Sequence, residues 1–324
     1  MRLHCGILME TRMGRNIVSV SCARSCLLVV KLNMVLSLRN CVCTCLAISG
    51  FAVLSLSMFG CERVFYYPDH HDRGSPADDG LAFEDVHVTA SDGVRLHGWF
   101  LPATGGAARA TVLHLHGNAA NITGHFPFVS WMPAAGFNVL TIDYRGYGKS
   151  EGRVSREGTI RDARAALDYL RGRADVDAKR IILFGQSIGG AISIALAAER
   201  REDFAAVVLD SPFTDYREIA RHHILRNPVM LLIAWWFPFG IAKGHDPIDC
   251  INRISPTPIL IMHGKNDRIV PPAMGRRLFD AAGDPKEFWQ VDATDHMEVW
   301  DTHREEAIAE FIEFAEKSLR ASAK

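Results

Sequence analysis

Residues 181–191 read IILFGQSIGGA. The first four residues are an apolar run typical of a buried strand, and the small residues from Gly189 onward begin a helical pattern. Between them lies a Gly-x-Ser-x-Gly turn, in which glycines allow close approach and the serine hydroxyl points outward. The N-terminus of the following helix favours a developing negative charge. A Gly-x-Ser-x-Gly motif also occurs by chance in flexible loops. Because this one lies between a predicted strand and a predicted helix, the sequence predicts that Ser187 is a nucleophile.

Buried-strand and helix patterns alternate along the rest of the chain. A hairpin around Ser91-Asp92-Gly93 opens the series. The segments 121–135 and 157–173 are predicted helices, and the second of them is amphipathic. Because strands that alternate with helices at this spacing build a parallel sheet covered on both faces, we expect a mostly parallel, doubly wound α/β fold. The predicted strands are 83–89, 94–101, 110–116, 137–142, 180–184, 204–209, 258–262 and 288–291.

Composition and charge limit the classes of partner. The chain has 324 residues, 48% of them hydrophobic, and a formal net charge of −1. Residues 1–60 carry six Lys or Arg and one acid, which leaves 30 basic and 36 acidic residues in 61–324. An acidic domain of this kind is not expected to bind nucleic acid. Gly148-Lys149-Ser150 does not extend to a Walker phosphate loop, because Asp143 stands where that motif has its first glycine.

The N-terminus has the features of a membrane-directed segment. Nineteen uncharged residues, 41–59, follow Arg39 and end at Gly60-Cys61. This pattern predicts an export signal in 1–61, and its end resembles a bacterial lipoprotein box in which Cys61 becomes the lipidated first residue. An uncleaved signal anchor is the alternative, and Met34 is an alternative start. Both interpretations predict an exported, membrane-associated protein, with a linker at 62–82 and one domain at 83–320.

The strand and helix pattern is interrupted between about 212 and 253. This segment contains an apolar run at 229–239, VMLLIAWWFPF, which is short for a membrane span. We expect a small helical cap over the mouth of the active site, with ordinary packing onto the domain as the equal alternative.

A serine nucleophile needs a base that is oriented by a carboxylate. His296 follows the last predicted strand, and Asp267 follows the strand before it. Ser187, Asp267 and His296 occur in the chain order of an α/β-hydrolase triad. Asp295 is next to the base and could compete for it, and Asp210 is an alternative acid. The histidines at 114, 116, 222, 223 and 263 are assigned to structure or surface.

From about 83 to 317 the chain resembles α/β-hydrolase fold serine hydrolases, in a branch that includes bacterial lipoprotein-like hydrolases and protein depalmitoylases. The motifs that carry the resemblance are LHGNAAN at 115–121, DYRGYG at 143–148, GQSIGG at 185–190 and HGKND at 263–267. The resemblance implies hydrolysis of a small carboxylic ester or thioester, with no metal or organic cofactor. It also implies that the backbone N–H groups of Asn118 and Ile188 form an oxyanion hole. A peptidase or amidase with the same triad and a catalytically silent binding protein are the alternatives.

Overall fold

Eight strands form one sheet in the computed structural model, which describes residues 65–226, 241 and 244–322. The spatial order is β1-β2-β4-β3-β5-β6-β7-β8. β1 pairs with β2 and β2 with β4 in antiparallel fashion, and all other neighbours are parallel. The strands are β1 Glu84–Thr89, β2 Arg95–Leu101, β3 Ala110–Leu115, β4 Phe137–Ile142, β5 Ile181–Gln186, β6 Ala206–Asp210, β7 Ile259–Gly264 and β8 Lys286–Val291.

Helices cover both faces of the sheet, as predicted. Successive residues of a strand point to opposite faces, and in β5 Ile181 and Leu183 join one core whereas Ile182 and Phe184 join the other. Burial on both faces explains why this strand is a continuous apolar run rather than an alternating one. The helices are α1 Ile122–His125, α2 Arg156–Gly172, α3 Ile188–Arg200, α4 Tyr216–Leu225, α5 Pro247–Cys250, α6 Pro272–Ala281, α7 Val299–Thr302 and α8 Arg304–Ser322.

The two cores have different helices. α2, α3 and α6 pack on the face that holds Leu113 and Leu183, and α1, α7 and α8 pack on the face that holds Val112 and Phe184. Because β5 lies near the middle of the sheet, α3 starts at the centre of the edge where the parallel strands end. Ser187, at the junction of β5 and α3, therefore lies at that edge, where open α/β sheets bind ligands.

The helix predicted over 121–135 is wrong in extent. Asn121 does begin a helix, because its side chain accepts a hydrogen bond from the Thr123 N–H at 2.9 Å. The α-helix ends at His125, however, and a 3₁₀ turn follows at Phe126–Phe128. Pro127 lacks the N–H that would continue the α-helical hydrogen bonds. The remaining residues to 135 form turns that connect to β4.

Several sequence predictions lie outside the described residues. They include the N-terminal segment with Cys61 and the apolar run 229–239 of the predicted cap. The described neighbours of that run are α4 on one side and α5, which continues into a 3₁₀ turn at Ile251–Ile254, on the other. Across the ranges that the structure describes, no helix has both the length and the apolar character needed to cross a membrane.

Candidate active site

Ser187 occupies a strained turn between β5 and α3. Its φ is 53° and its ψ is −114°, a left-handed conformation that L-residues other than glycine rarely adopt and that costs about 1–3 kcal/mol. The turn is tight: a Cβ on Gly185 would lie 2.6 Å from the Gly189 carbonyl oxygen and 2.2 Å from Ser193 Oγ. Only glycine fits at position 185. The backbone thus has the geometry of a nucleophile elbow, with Ser187 at its apex.

The elbow is anchored to the neighbouring strand. The Ser187 N–H donates to the carbonyl oxygen of Asp210, at the end of β6, with an N–O distance of 2.8 Å. Ile188 is the first residue of α3, so the helix itself supplies no acceptor for the Ile188 N–H. An N–H next to Ser187 and at a helix N-terminus can stabilise an oxyanion.

His296 and Asp267 are brought together at the same edge of the sheet. His296 Nδ1 lies 2.8 Å from Asp267 Oδ2. The other carboxylate oxygen of Asp267 accepts hydrogen bonds from the N–H groups of Ile269 and Val270, at 2.9 and 2.7 Å. The Asp267 side chain is fully buried, whereas His296 retains 16% of its side-chain exposure. The carboxylate is therefore fixed by backbone donors and can hold the orientation of the imidazole.

A second histidine contacts the same carboxylate. His263, at the end of β7, has its Nε2 3.3 Å from Asp267 Oδ2 and 3.0 Å from the Val270 carbonyl oxygen. Because a carbonyl only accepts, Nε2 carries the proton and donates. Burial alone would raise the pKa of Asp267, but the hydrogen bonds from His263 and His296 outweigh it and hold that pKa well below its ordinary value. Asp267 is therefore ionised at neutral pH.

Asp295, the possible competitor for His296, and Asp210, the alternative acid, have other partners. Asp295 forms an ion pair with Arg268 and also accepts hydrogen bonds from the N–H groups of Arg268 and His296. Asp210 accepts from Trp300 Nε1 at 2.8 Å and from Gln186 Nε2 at 3.1 Å. None of these hydrogen bonds joins Asp295 or Asp210 to a ring nitrogen of His296.

Three loops meet at Gly117, which connects β3 to the Asn118 loop. A Cβ on Gly117 would lie 3.7 Å from the carbonyl oxygen of Gln186, next to Ser187, and 3.4 Å from Sδ of Met297, next to His296. The start of α3 also packs on this connection, since a Cβ on Gly189 would lie 2.0 Å from the Leu115 carbonyl oxygen. The loops of Asn118, Ser187 and His296 therefore converge on one point.

A cavity of about 440 Å³ opens beside His296. Phe128, Ile269 and Met297 form an apolar part of its wall, and Ile269 is 48% exposed. The other lining residues are His125, Asp295, His296, Glu298 and Asp301. An apolar wall beside a candidate base is suited to an acyl or alkyl group.

Sequence reasoning missed the role of two groups at this site. His263 was assigned to structure or surface, yet it contacts Asp267; the signal available was its spacing of four residues from that aspartate at a strand end. The side chain of Asn118 was not considered, although it forms four hydrogen bonds. Within 65–226 and 244–322, no group of three His, Cys, Asp or Glu side chains is arranged to hold a metal ion.

Comparison with known proteins identifies relatives. A protein-family model described as serine aminopeptidase, S33, matches residues 106–245. The chain is 38% identical over 253 residues to the uncharacterized protein YfhR of Escherichia coli (strain K12). The match covers 75% of this chain and 84% of the relative. The chain is 35% identical over 242 residues to the α/β hydrolase domain-containing protein WAV2 of Arabidopsis thaliana, covering 70% of this chain and 76% of that protein.

A solved structure with the same fold is the Pyrococcus furiosus esterase Pf2001. Its TM-score is 0.66 at 24% sequence identity, and the match covers 78% of this chain and 98% of the esterase chain. Fold, sequence relatives and site geometry agree with one another. The chain belongs to the α/β-hydrolase family and is a hydrolase.

Proposed function

We propose that the protein is a serine hydrolase that cleaves a carboxylic ester or thioester through an acyl-enzyme intermediate. The observation that carries the proposal is the combination of Ser187 at a strained elbow with the 2.8 Å contact between His296 Nδ1 and Asp267 Oδ2. A serine hydroxyl is a weak nucleophile at neutral pH and needs an oriented base. Here the base, its carboxylate and the elbow all occupy the edge where the strands end.

The contact with Asp267 determines which nitrogen of His296 is the base. An ionised carboxylate only accepts, so Nδ1 carries the proton and Nε2 has the free lone pair. The lowered pKa of Asp267 keeps it ionised, so it also stabilises the imidazolium that forms when His296 takes a proton. His296 is therefore suited to act first as a general base and then as a general acid.

The reaction follows from these roles. His296 Nε2 removes the proton from Ser187 Oγ as Oγ attacks the acyl carbonyl carbon, giving a tetrahedral oxyanion. The N–H groups of Asn118 and Ile188 stabilise that oxyanion, and the loss of one such donor costs about 10²–10³ in rate. His296 then protonates the leaving alcohol or thiol as the acyl-enzyme forms. Water, deprotonated by His296, attacks the acyl-enzyme, and Ser187 recovers its proton as the acid leaves.

Hydrolysis of p-nitrophenyl esters from acetate to palmitate would test this proposal. The full chain and its Ser187→Ala variant are compared, and both are treated with a fluorophosphonate probe. We expect ester hydrolysis and labelling in the wild type and neither in the variant, with the preferred acyl length reporting the size of the cavity. If the wild type shows neither activity nor labelling, the serine-esterase proposal is wrong and the silent binding protein is favoured.

An aminopeptidase or amidase is a second candidate function. It is favoured by the match to the serine aminopeptidase model and by the carboxylates of Glu298 and Asp301 on the cavity wall, which suit a substrate amine. Aminoacyl p-nitroanilides assayed beside the p-nitrophenyl esters distinguish the two. A higher kcat/KM for the anilides, lost in Ser187→Ala, would replace the esterase proposal.

The N-terminal sequence supports a proposal about location. We propose that residues 1–61 direct export and that the protein is held at a membrane, with Cys61 as the lipidated residue. Mass spectrometry of the processed protein and of Cys61→Ser tests this. A mature N-terminus other than Cys61, or an unmodified Cys61, would exclude the lipoprotein form.

A further inference from the structure

Residues 65–73, here called the N-terminal strap, run along two loops of the candidate site. On one side, Asn121 Nδ2 donates to the carbonyl oxygens of Asp69 and His71 at 3.0 and 2.9 Å. On the other side, the Gly148 N–H donates to the Asp69 carbonyl oxygen at 2.9 Å. The strap thus bonds to the Asn118 loop and to the glycine-rich loop that follows β4.

The side chain of Asn118 is the centre of this contact. Its Nδ2 donates to the carbonyl oxygen of Phe65 at 2.6 Å. Its Oδ1 accepts from the Tyr67 N–H at 2.9 Å, from the Ala119 N–H at 2.8 Å and from the Tyr147 hydroxyl at 3.0 Å. The partners define the orientation of the amide, because a flipped amide would face a carbonyl with its oxygen and two N–H groups with its nitrogen. The strap therefore fixes one orientation of this side chain.

The loop held in this way has an unfavourable backbone. Ala119 and Ala120 have φ values of 61° and 52°, in the left-handed region. Each costs about 1–3 kcal/mol and persists only where surrounding contacts impose it. The bond from the Ala119 N–H to Asn118 Oδ1 also occupies that N–H within the loop. Among the described residues no hydrogen bond occupies the N–H of Asn118, so that N–H is available to an oxyanion.

We infer that the Asn118 side chain and the N-terminal strap are positioning elements that aim the Asn118 N–H at the oxyanion. The inference rests on the proposed function, since it gives the oxyanion hole a support outside the catalytic residues. The support comes from a segment that begins four residues after Cys61, so the chain just beyond the predicted export signal becomes part of the catalytic apparatus.

A matched pair of substitutions in the full chain isolates the strap contact. Tyr67→Pro removes the N–H that donates to Asn118 Oδ1, whereas Tyr67→Ala keeps the N–H and removes only a side chain that is 62% exposed. Tyr67 already precedes Pro68, which favours the extended backbone that proline also adopts. The difference between the two variants therefore reports the hydrogen bond.

The readouts are kcat and KM for p-nitrophenyl acetate and the Ki of a trifluoromethyl ketone. Ser187 Oγ would add to the carbonyl carbon of this inhibitor and convert the carbonyl oxygen into an oxyanion. Deletion of an oxyanion-hole donor lowers kcat about 10²–10³-fold, and displacement of the donor should lower kcat less. We therefore expect kcat to fall about 10-fold further in Tyr67→Pro than in Tyr67→Ala. KM should agree within about twofold, and Ki should rise in proportion to the loss of kcat/KM. A purely structural role would not produce that proportionality.

Asn118→Ala and Tyr147→Phe provide a second test that does not depend on proline. We expect about a 10- to 100-fold loss of kcat in Asn118→Ala and a smaller loss in Tyr147→Phe, where two donors to Oδ1 remain. Equal kcat in the Pro and Ala variants, or an unchanged Ki in Asn118→Ala, would overturn the positioning role while Ser187-dependent ester hydrolysis stands. Absence of that hydrolysis in the wild type would overturn both the positioning role and the proposed function.

Discussion

Two buried aspartates at the ends of neighbouring strands have different partners. Asp210 is the last residue of β6, in register with Met262 of β7, and Asp267 lies beyond the end of β7. Asp267 contacts two histidines, whereas Asp210 accepts from the neutral groups of Trp300, Gln186 and Ser211. Asp267 lies five positions beyond Met262, the register partner of Asp210, so it is in the loop after β7 and reaches His296, whereas Asp210 remains within the sheet. Only Asp267 can orient a histidine.

The contacts of Asp210 link the elbow at Ser187 to the segment that follows His296. Its main-chain carbonyl oxygen accepts the Ser187 N–H, and its carboxylate accepts from Trp300, four residues after His296. On the other side, Gln186 Oε1 lies 3.0 Å from Nε2 of His114. Asp210 thus supports the arrangement of two loops, and the following predictions separate this role from that of Asp267.

The largest expected difference is in activity. Asp267→Asn should lower kcat about 10⁴-fold, because an amide at this position favours the wrong tautomer of His296. Asp210→Asn should lower kcat by less than about tenfold, since it does not contact the imidazole. Steady-state kinetics on a p-nitrophenyl ester measures both. Equal losses would mean that the two carboxylates share the orienting role.

The next effect is on stability. Asp210→Asn places an amide among three donors, and one unsatisfied buried group costs about 1–3 kcal/mol. Urea unfolding should therefore show a lower free energy of unfolding for Asp210→Asn. Trp300→Phe, which removes one of those donors, is the companion variant; if both variants unfold at the wild-type midpoint, the Asp210 contacts do not stabilise the fold.

The histidine behind Asp210 should make stability depend on pH. Burial lowers the pKa of His114 from 6.5 to about 3. Between these values the unfolded chain binds the proton and the folded chain does not, so the free energy of unfolding falls as pH falls. From pH 7 to pH 5 this group contributes a loss of about 2 kcal/mol. His114→Gln should show a correspondingly smaller loss in urea titrations, and identical pH slopes would contradict the assignment.

The smallest effect concerns the second histidine on Asp267. His263→Phe removes a donor to the carboxylate, so the pKa of Asp267 should rise and its hold on His296 should weaken. We expect kcat to fall about tenfold. This corresponds to less than the full free energy of a hydrogen bond to a charged group. His222→Phe, at a half-buried position within α4, is the control for losing a histidine. An unchanged kcat in His263→Phe would show that Asp267 orients His296 without help from His263.

Strand positions were predictable because burial on both faces produces runs that can be seen in the chain. The predicted hairpin, the six later strands and α2 all occur within a few residues of their expected bounds. The helix predicted at 121–135 was too long, because the prediction did not take into account the effect of Pro127.

Some features of the candidate site were likewise predictable from the sequence, and others were not. The sequence by itself determined the fold, the elbow at Ser187 and the candidate residues His296 and Asp267. Strand-turn-helix geometry is a local property that short motifs encode, and the order of the motifs can be read directly from the chain. Only the tertiary structure decided that Asp267 rather than Asp210 meets His296, that His263 shares that carboxylate, and that Asn118 holds the strap. These contacts join residues that are distant in sequence or depend on which way a side chain points, and no local pattern records either.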